Sequence, residues 1–270
     1  MALERLTAAN DYYQLTLALV DNRKQRQRQK RFVVQSVKAI GDALERGWSF
    51  ESLWIREGAR LSSWAQDVID RAGARRTISA RVELFAALHG KEDPGELVAV
   101  LDLPADRLAD ATLRDPALVV VCDRPSSPGN LGSIVRSADA FGASALIVTG
   151  HAADIYDPQT VRASLGALFA LPVAHVQSPS TAVEWLRERC PPIRLVGTSA
   201  HAVTPLEDYD FRAPVALLLG SEATGLSRWW TEAADGMVTI PTAGVATSLN
   251  VAAAATAVLN EVRRQRASSP

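Results

Sequence analysis

LVVVCDRPSSPGNLGSIVRSADAFGA, residues 118–143, opens as an unbroken apolar run and changes character at Asp123. Successive apolar residues from Leu118 to Val121 read as a strand buried on both faces, the signature of a parallel sheet covered by helices. Pro128-Gly129 marks a turn. Asn130 then stands where a helix cap is needed, ahead of Leu131, Ile134, Val135, Ala138 and Phe141 on one helical face and Gly142 near the end. Arg136 falls on a different face, near the strand ends, where a guanidinium can hold a phosphate with paired donors. The plainer alternative is an ion pair with Asp139, three residues on.

Downstream the theme repeats. Leu146 to Val148, Val173 to Val176, Leu195-Val196, Val215 to Leu219 and Met237 to Ile240 are further apolar strands, with helical stretches between several of them. Ligands in such sheets sit in the loops that leave the carboxyl ends of strands. One of these loops is Gly220-Ser221-Glu222-Ala223-Thr224-Gly225-Leu226-Ser227, where two glycines bracket a lone carboxylate. Another is Pro241-Thr242-Ala243-Gly244-Val245-Ala246-Thr247-Ser248-Leu249-Asn250, leading into the small-residue helix VAAAATAVLN. Helix opening explains Ser221, Glu222, Ser248 and Asn250 as well as ligand contact does, when each loop is taken alone.

Upstream of residue 118 lies a smaller α/β pattern: a helix from Val34 to Arg46, a strand at Leu53 to Ile55, a helix from Ser62 to Ala72 and a strand from Glu96 to Leu101. The divisions are a basic extension, 1–31, a small α/β domain, 32–105, a linker, 106–116, and the parallel-sheet domain, 117–270. Residues 22–31, NRKQRQRQKR, hold Arg23, Lys24, Arg26, Arg28, Lys30 and Arg31 without an acid. Such a run is a solvated segment or a contact for a phosphate backbone.

The 270 residues are 47% hydrophobic with a net charge of -1, which excludes a uniformly basic nucleic-acid binder. The two cysteines, Cys122 and Cys190, signal neither a disulfide framework nor a thiolate metal site. No apolar run approaches the roughly 18 residues that cross a bilayer, and Met1 to Arg5 lacks a secretory core, so a cytoplasmic protein is expected, with no membrane partner and no metal. His151, Asp154 and Asp157 lack the ligand spacing of a metal hydrolase and read as loop residues.

Taken in order after successive strands, Asn-x-Gly-x-x-x-Arg, Gly-Ser-Glu-x-x-Gly-Leu-Ser and Ile-Pro with Ser-Leu-Asn resemble the SpoU (TrmH-like) branch of the SPOUT RNA methyltransferases. The likeness spans roughly Leu118 to Val262, and the N-terminal half is similar, less specifically, to that family's L30e-like substrate-binding domain. The resemblance implies a deep trefoil knot, a homodimer with the active site at the subunit interface, and methyl transfer from S-adenosylmethionine to an RNA ribose 2′-hydroxyl. It implies cofactor contacts at Thr198, Ser199, Ala200, Leu219, Gly220, Ile240, Ser248 and Leu249. Arg136 matches the catalytic arginine, with Asn130, Glu222, Ser248 and Asn250 shaping the site. Ala223-Thr224 and Thr242 depart from the usual pattern without removing a polar motif group.

DRPSSPGNLGSIVRSADAFGA and GHAADIYDP look most like an antibiotic-resistance subgroup, of the avilamycin-resistance kind, that methylates a uridine ribose in 23S ribosomal RNA. The alternatives are a transfer RNA ribose methyltransferase and a noncatalytic RNA-binding or ribosome-assembly factor of the same fold.

Overall fold

The computed structural model describes residues 3–90, 95–105, 107–109, 111–245 and 248–267. Ala246 and Thr247 of the last motif loop, and Asp106 and Asp110 of the expected linker, lie outside the described residues. The chain divides into two compact units, Met1–Ala105 with Tyr156–Ala170, and Asp106–Ile155 with Leu171–Pro270.

The first unit contains strands β1 (Leu3–Leu6), β2 (Arg31–Val34), β3 (Phe50–Arg56), β4 (Arg76–Ala80) and β5 (Leu97–Asp102), and helices α1 (Asp11–Asp21), α2 (Arg23–Gln29), α3 (Val37–Glu45), α4 (Ser63–Arg71) and α5 (Val82–His89). Its sheet runs in the order β1-β4-β3-β5-β2, parallel across the first three strands and antiparallel on both sides of β5. Asn10, Asn22, Ser36 and Ser62 start four of the helices by accepting a hydrogen bond from the amide three residues on. Trp54 is fully buried at the centre of the core, with Tyr12 stacked on it at 5.8 Å and Tyr13 edge-on at 6.1 Å. Tyr156–Ala170 belongs with this unit through rings: Tyr156 lies 4.8 Å from Phe32, and Phe169 lies 5.0 Å from Trp48, whose indole N–H donates to the Phe169 carbonyl.

Two readings of this half are corrected. The helix placed from Val34 begins at Val37, because Phe32, Val33 and Val34 are fully buried and pair as a strand with Leu101, Val100 and Ala99 before Ser36 caps α3. The basic run is also ordered: Asn22 caps α2, and Lys30, at φ 54°, ends it in the left-handed conformation.

The second unit contains β6 (Leu118–Asp123), β7 (Ala145–Thr149), β8 (Val173–Val176), β9 (Arg194–Thr198), β10 (Thr204–Pro205), β11 (Val215–Leu219) and β12 (Gly236–Thr239), with helices α6 (Pro128–Ala140), α7 (Pro179–Arg189), α8 (Arg228–Ala233) and α9 (Val251–Ala267). All seven strands are parallel, in the order β10-β12-β9-β11-β6-β7-β8. This is the expected parallel sheet, its central strands buried on both faces. The expected linker is part of this unit: Leu108 and Ala111 are buried in the cluster that includes Val119, Ile147 and Trp230, and the Arg107 guanidinium donates to the Leu171 carbonyl. Pro104 and the aspartates advertise a connection, while the apolar residues among them, Ala105, Leu108, Ala109, Ala111 and Leu113, make no strong period.

Helix α9 is tied down at both ends. The Asn250 side chain accepts from the Ala252 amide at 2.9 Å at its start. Near its end Arg266 donates to the carbonyls of Phe211, Pro116, Ala117 and Ala213, beside the first residues of β6 and β11.

Candidate active site

The loops that follow β6, β9, β11 and β12 emerge from adjacent strands at the carboxyl end of the sheet, where ligands of such folds bind. At the start of α6 the cap is Ser127, not Asn130: its hydroxyl accepts from the Asn130 amide, and Pro128 occupies the first turn. Serine and asparagine cap almost equally well, and Ser127 stands three residues ahead of Asn130. Freed from capping, Asn130 turns its side chain outward. Its amide group donates to Glu222 Oε1 at 2.9 Å, and its carbonyl oxygen accepts from Asn250 at 3.1 Å. The three motif loops therefore meet in one chain of side-chain hydrogen bonds, Asn250 to Asn130 to Glu222.

Glu222 also accepts from the Ser126 amide at 3.0 Å, the Ser126 hydroxyl at 2.8 Å and the Ser127 amide at 3.2 Å. Partial burial works to raise its pKa, but the hydrogen bonds from Asn130 and Ser126 outweigh it and hold the carboxyl at about 2. The group is a fixed anion at neutral pH. It serves as an acceptor that sews the 220–227 loop to the start of α6, and is too weak a base to collect a proton.

Beside this cluster lies an open cavity of about 900 Å³. Of the residues expected to hold a cofactor, Thr198, Ser199, Ala200, Gly220, Ile240, Ser248 and Leu249 line it; Leu219 does not, being 2% exposed and paired with Cys122 in the sheet. Glu222 and Asn250 form part of the wall. Ile240, Pro241, Thr242, Ser248 and Leu249 lie outside helix and strand, and among the described residues none of their backbone groups is engaged by a hydrogen bond within the chain. Unpaired amides and carbonyls facing a cleft are available to a ligand. Gly220 has a local reason: a Cβ there would collide with the backbone of Gly225 and Leu226, so the loop could not fold back over the strand end.

Arg136 is exposed on α6, and among the described residues its side chain has no hydrogen bond or ion pair; the alternative pairing with Asp139 does not form. It does not line the cavity of its own chain. Its neighbour Ser137 is hydrogen-bonded to Thr256 at 2.7 Å, which joins α6 to α9.

The basic run divides. Arg26 is 2% exposed, and its guanidinium donates to the Leu19 and Val20 carbonyls and to Asp157 at 3.2 Å. This corrects its reading as a phosphate contact, because a buried cation that closes the end of α1 is not available to a ligand. Arg31 pairs with Glu51 and Asp102. Lys24, Arg28 and Lys30 remain exposed, and Arg23 is half-buried.

Sequence reasoning missed Asp123, Ser126, Ser127 and Met237. Asp123 is 2% exposed and accepts from the Ser227 amide at 2.7 Å, pinning the far end of the 220–227 loop. Its signal was present in the abrupt step from the apolar run 118–122 to a carboxylate. Met237 packs where a Cβ on Gly197 would stand, and that contact has no sequence signature. Among the described residues no group of three or more His, Cys, Asp or Glu side chains is placed to hold a metal ion, and no helix is long and apolar enough to cross a membrane.

A parallel sheet whose carboxyl-end loops knit a capped helix start, a hydrogen-bonded loop carboxylate and a ligand-sized cleft defines an α/β protein of the small-molecule-binding class. Residues 117–260 match the SpoU rRNA Methylase family, and residues 10–99 match the SpoU L30e-like domain. The chain belongs to the SpoU rRNA methylase family. It is 45% identical over 271 residues to the 23S rRNA (uridine(2479)-2′-O)-methyltransferase of Streptomyces viridochromogenes, covering 99% of this chain and 94% of that one. The crystal structure of the SpoU methyltransferase AviRb from Streptomyces viridochromogenes in complex with the cofactor AdoMet superposes with a TM-score of 0.92 at 44% identity, over 97% of this chain and 100% of that one. An AdoMet-bound rRNA methyltransferase from Sinorhizobium meliloti superposes with a TM-score of 0.86 at 28% identity, over 97% and 98%.

Proposed function

We propose that this protein is a cytoplasmic enzyme that methylates the 2′-hydroxyl of a uridine ribose in 23S ribosomal RNA, with S-adenosylmethionine as methyl donor, and so protects the ribosome from an antibiotic. The observation that carries the reading is the convergence of Glu222, Asn130 and Asn250, from three separate loops, beside a cleft in which, among the described residues, the backbone of 240–242 and 248–249 is unpaired. The cleft fits the donor. Its volume suits a ligand of that size. Leu226, Met237, Ile240 and Leu249 offer apolar contacts, while the free backbone of 240–242 and 248–249 offers donors and acceptors for a purine edge and an amino-acid end. When bound, S-adenosylmethionine supplies an electrophilic methyl group on a sulfonium.

The rest falls to the chain. Arg136 brings a forked, positively charged donor that anchors an RNA phosphate so that the neighbouring ribose hydroxyl is aligned. Asn130 and Asn250, locked to each other and to Glu222, fix the rim against which the ribose sits. Lys24, Arg28 and Lys30 contact backbone phosphates farther along the RNA. The protein works as a homodimer in which a second copy's Arg136 serves this cavity; the exposure of Arg136, its side chain's lack of a partner among the described residues and its absence from its own cavity support that arrangement. Within each copy the C-terminal part of the second unit forms a trefoil knot, in support of which β12 inserts between β9 and the earlier β10 before α9 returns to α6.

Incubating ribosomal RNA with the protein and labelled S-adenosylmethionine tests the function directly. A single 2′-O-methyl on a 23S uridine is the expected product.

A further inference from the structure

We infer that Arg124 is a positioning residue which, with Asp123, brackets the 220–227 loop to β6 and thereby sets the wall of the cofactor cavity. The inference rests on the reading of that cavity as the S-adenosylmethionine site. Three observations carry it.

The first is conformation. Arg124 has φ 53°, the left-handed region that non-glycine residues seldom occupy, and it does so directly after a buried strand, at the root of the motif loop. Such a conformation persists only where surrounding contacts over-determine it, and it marks a place worth reading for function. Here the Arg124 amide donates to the Thr149 carbonyl at 3.0 Å, which holds the backbone in that bend.

The second is what the bend achieves. It turns the guanidinium back over its own neighbour: Nε and one terminal nitrogen donate to the same Asp123 oxygen at 3.2 and 3.1 Å. That oxygen also accepts from the Ser227 amide at 2.7 Å. The terminal nitrogen donates in addition to the Gly225 carbonyl at 3.2 Å. One carboxylate and one guanidinium thus hold two residues near the end of the loop, Ser227 and Gly225. The Asp123 side chain is 3% exposed and that of Arg124 35%, so the bracket is sheltered on one side and reachable on the other.

The third is what the loop carries. Gly225 and Leu226 belong to the cavity wall, and Gly220 accepts their backbone against its bare face. Ser221 and Gly225 close the loop with reciprocal backbone hydrogen bonds at 3.0 and 2.9 Å. Glu222 lies between those two residues, fastened to Ser126, Ser127 and Asn130. The near side of the loop is therefore held by Glu222 and the far side by Arg124 and Asp123. Without the far-side hold, the loop hinges on Glu222 alone and the cavity loses a fixed wall.

Arg124→Ala and Arg124→Lys test this, since both retain a Cβ and the left-handed cost at position 124 is common to all three proteins. Lysine keeps a charge beside Asp123 but lacks the fork that also reaches Gly225. Amide hydrogen exchange of residues 220–227 in the free protein is expected to quicken in both variants, with the amides of β6 and β11 unchanged. The dissociation constant for S-adenosylmethionine, by calorimetry, is expected to rise about tenfold in Arg124→Ala, the weight of one charge-assisted hydrogen bond. Unchanged exchange in the loop would overturn the inference, as would acceleration spread evenly over the whole sheet, because the arginine would then merely hold the unit together. A wild-type protein that binds no S-adenosylmethionine would overturn the cofactor reading instead, and the exchange comparison would still decide the role of Arg124.

Discussion

Arg136 and Arg266 sit on two helices packed side by side and have opposite surroundings. Arg266 donates to four carbonyls, and burial lowers its pKa. Replacing it with alanine leaves those carbonyls short of donors, and we expect unfolding in denaturant to show a loss of about 2–4 kcal/mol. Arg136→Ala removes no side-chain hydrogen bond or ion pair among the described residues, so stability and S-adenosylmethionine affinity should be kept while methyl transfer falls by about 10³ or more, the scale of a lost positioning interaction. Calorimetry and incorporation of labelled methyl separate the two effects. Glu222 belongs to a third type. Its folded pKa, about 2, lies below the ordinary 4.5, so its contribution to stability is complete above about pH 4.5 and disappears as pH falls from there toward 2. Glu222→Gln should lower the midpoint of thermal unfolding at neutral pH and flatten the acid limb between those values; an unchanged acid limb would place the titration elsewhere.

At the scale of elements, the central strands of the second unit were legible because burial on both faces leaves continuous apolar runs, and Val215 to Leu219 appears with the bounds read from sequence, as does the less buried edge strand Val173 to Val176. Of the strands that were missed, β2 has a run of only three apolar residues, Phe32 to Val34, next to a helix, while β4 and β1 carry no such run. β4 is Arg-Thr-Ile-Ser-Ala, with Thr77 and Ser79 buried, and β1 is an exposed edge of four residues. Helix α2 was hidden by its own composition, since a chain of Arg, Lys and Gln has no apolar period to reveal which residue turns inward. Arg26 does, and the consequence is measurable. Arg26→Gln should lower thermal stability, whereas Lys24→Gln and Arg28→Gln should leave it alone and each reduce the salt slope of RNA binding by about 0.7–0.9. A salt slope unchanged in the last two would remove α2 from the RNA contact.

For the whole molecule, the family was readable from three motifs and the site was readable only in outline. Residue types and order singled out Asn130, Glu222 and Asn250, but their mutual hydrogen bonds depend on loops from β6, β11 and β12 lying side by side, which no local spacing encodes. The far side of the same loop, held by Asp123 and Arg124, was unread for the same reason. The homodimer proposal has its own check: mixing Arg136→Ala with a variant that cannot bind S-adenosylmethionine should restore activity, because one mixed site then combines an intact cavity with an intact arginine. No recovery on mixing would confine each site to a single chain. The central claim is the reaction itself. Incubation of 23S ribosomal RNA with the protein and labelled S-adenosylmethionine, followed by mapping of blocked primer extension and mass analysis of the nucleoside, should yield one 2′-O-methyluridine with wild type and none with Arg136→Ala; a methyl on a base, or no incorporation by a protein that binds the cofactor, would contradict it.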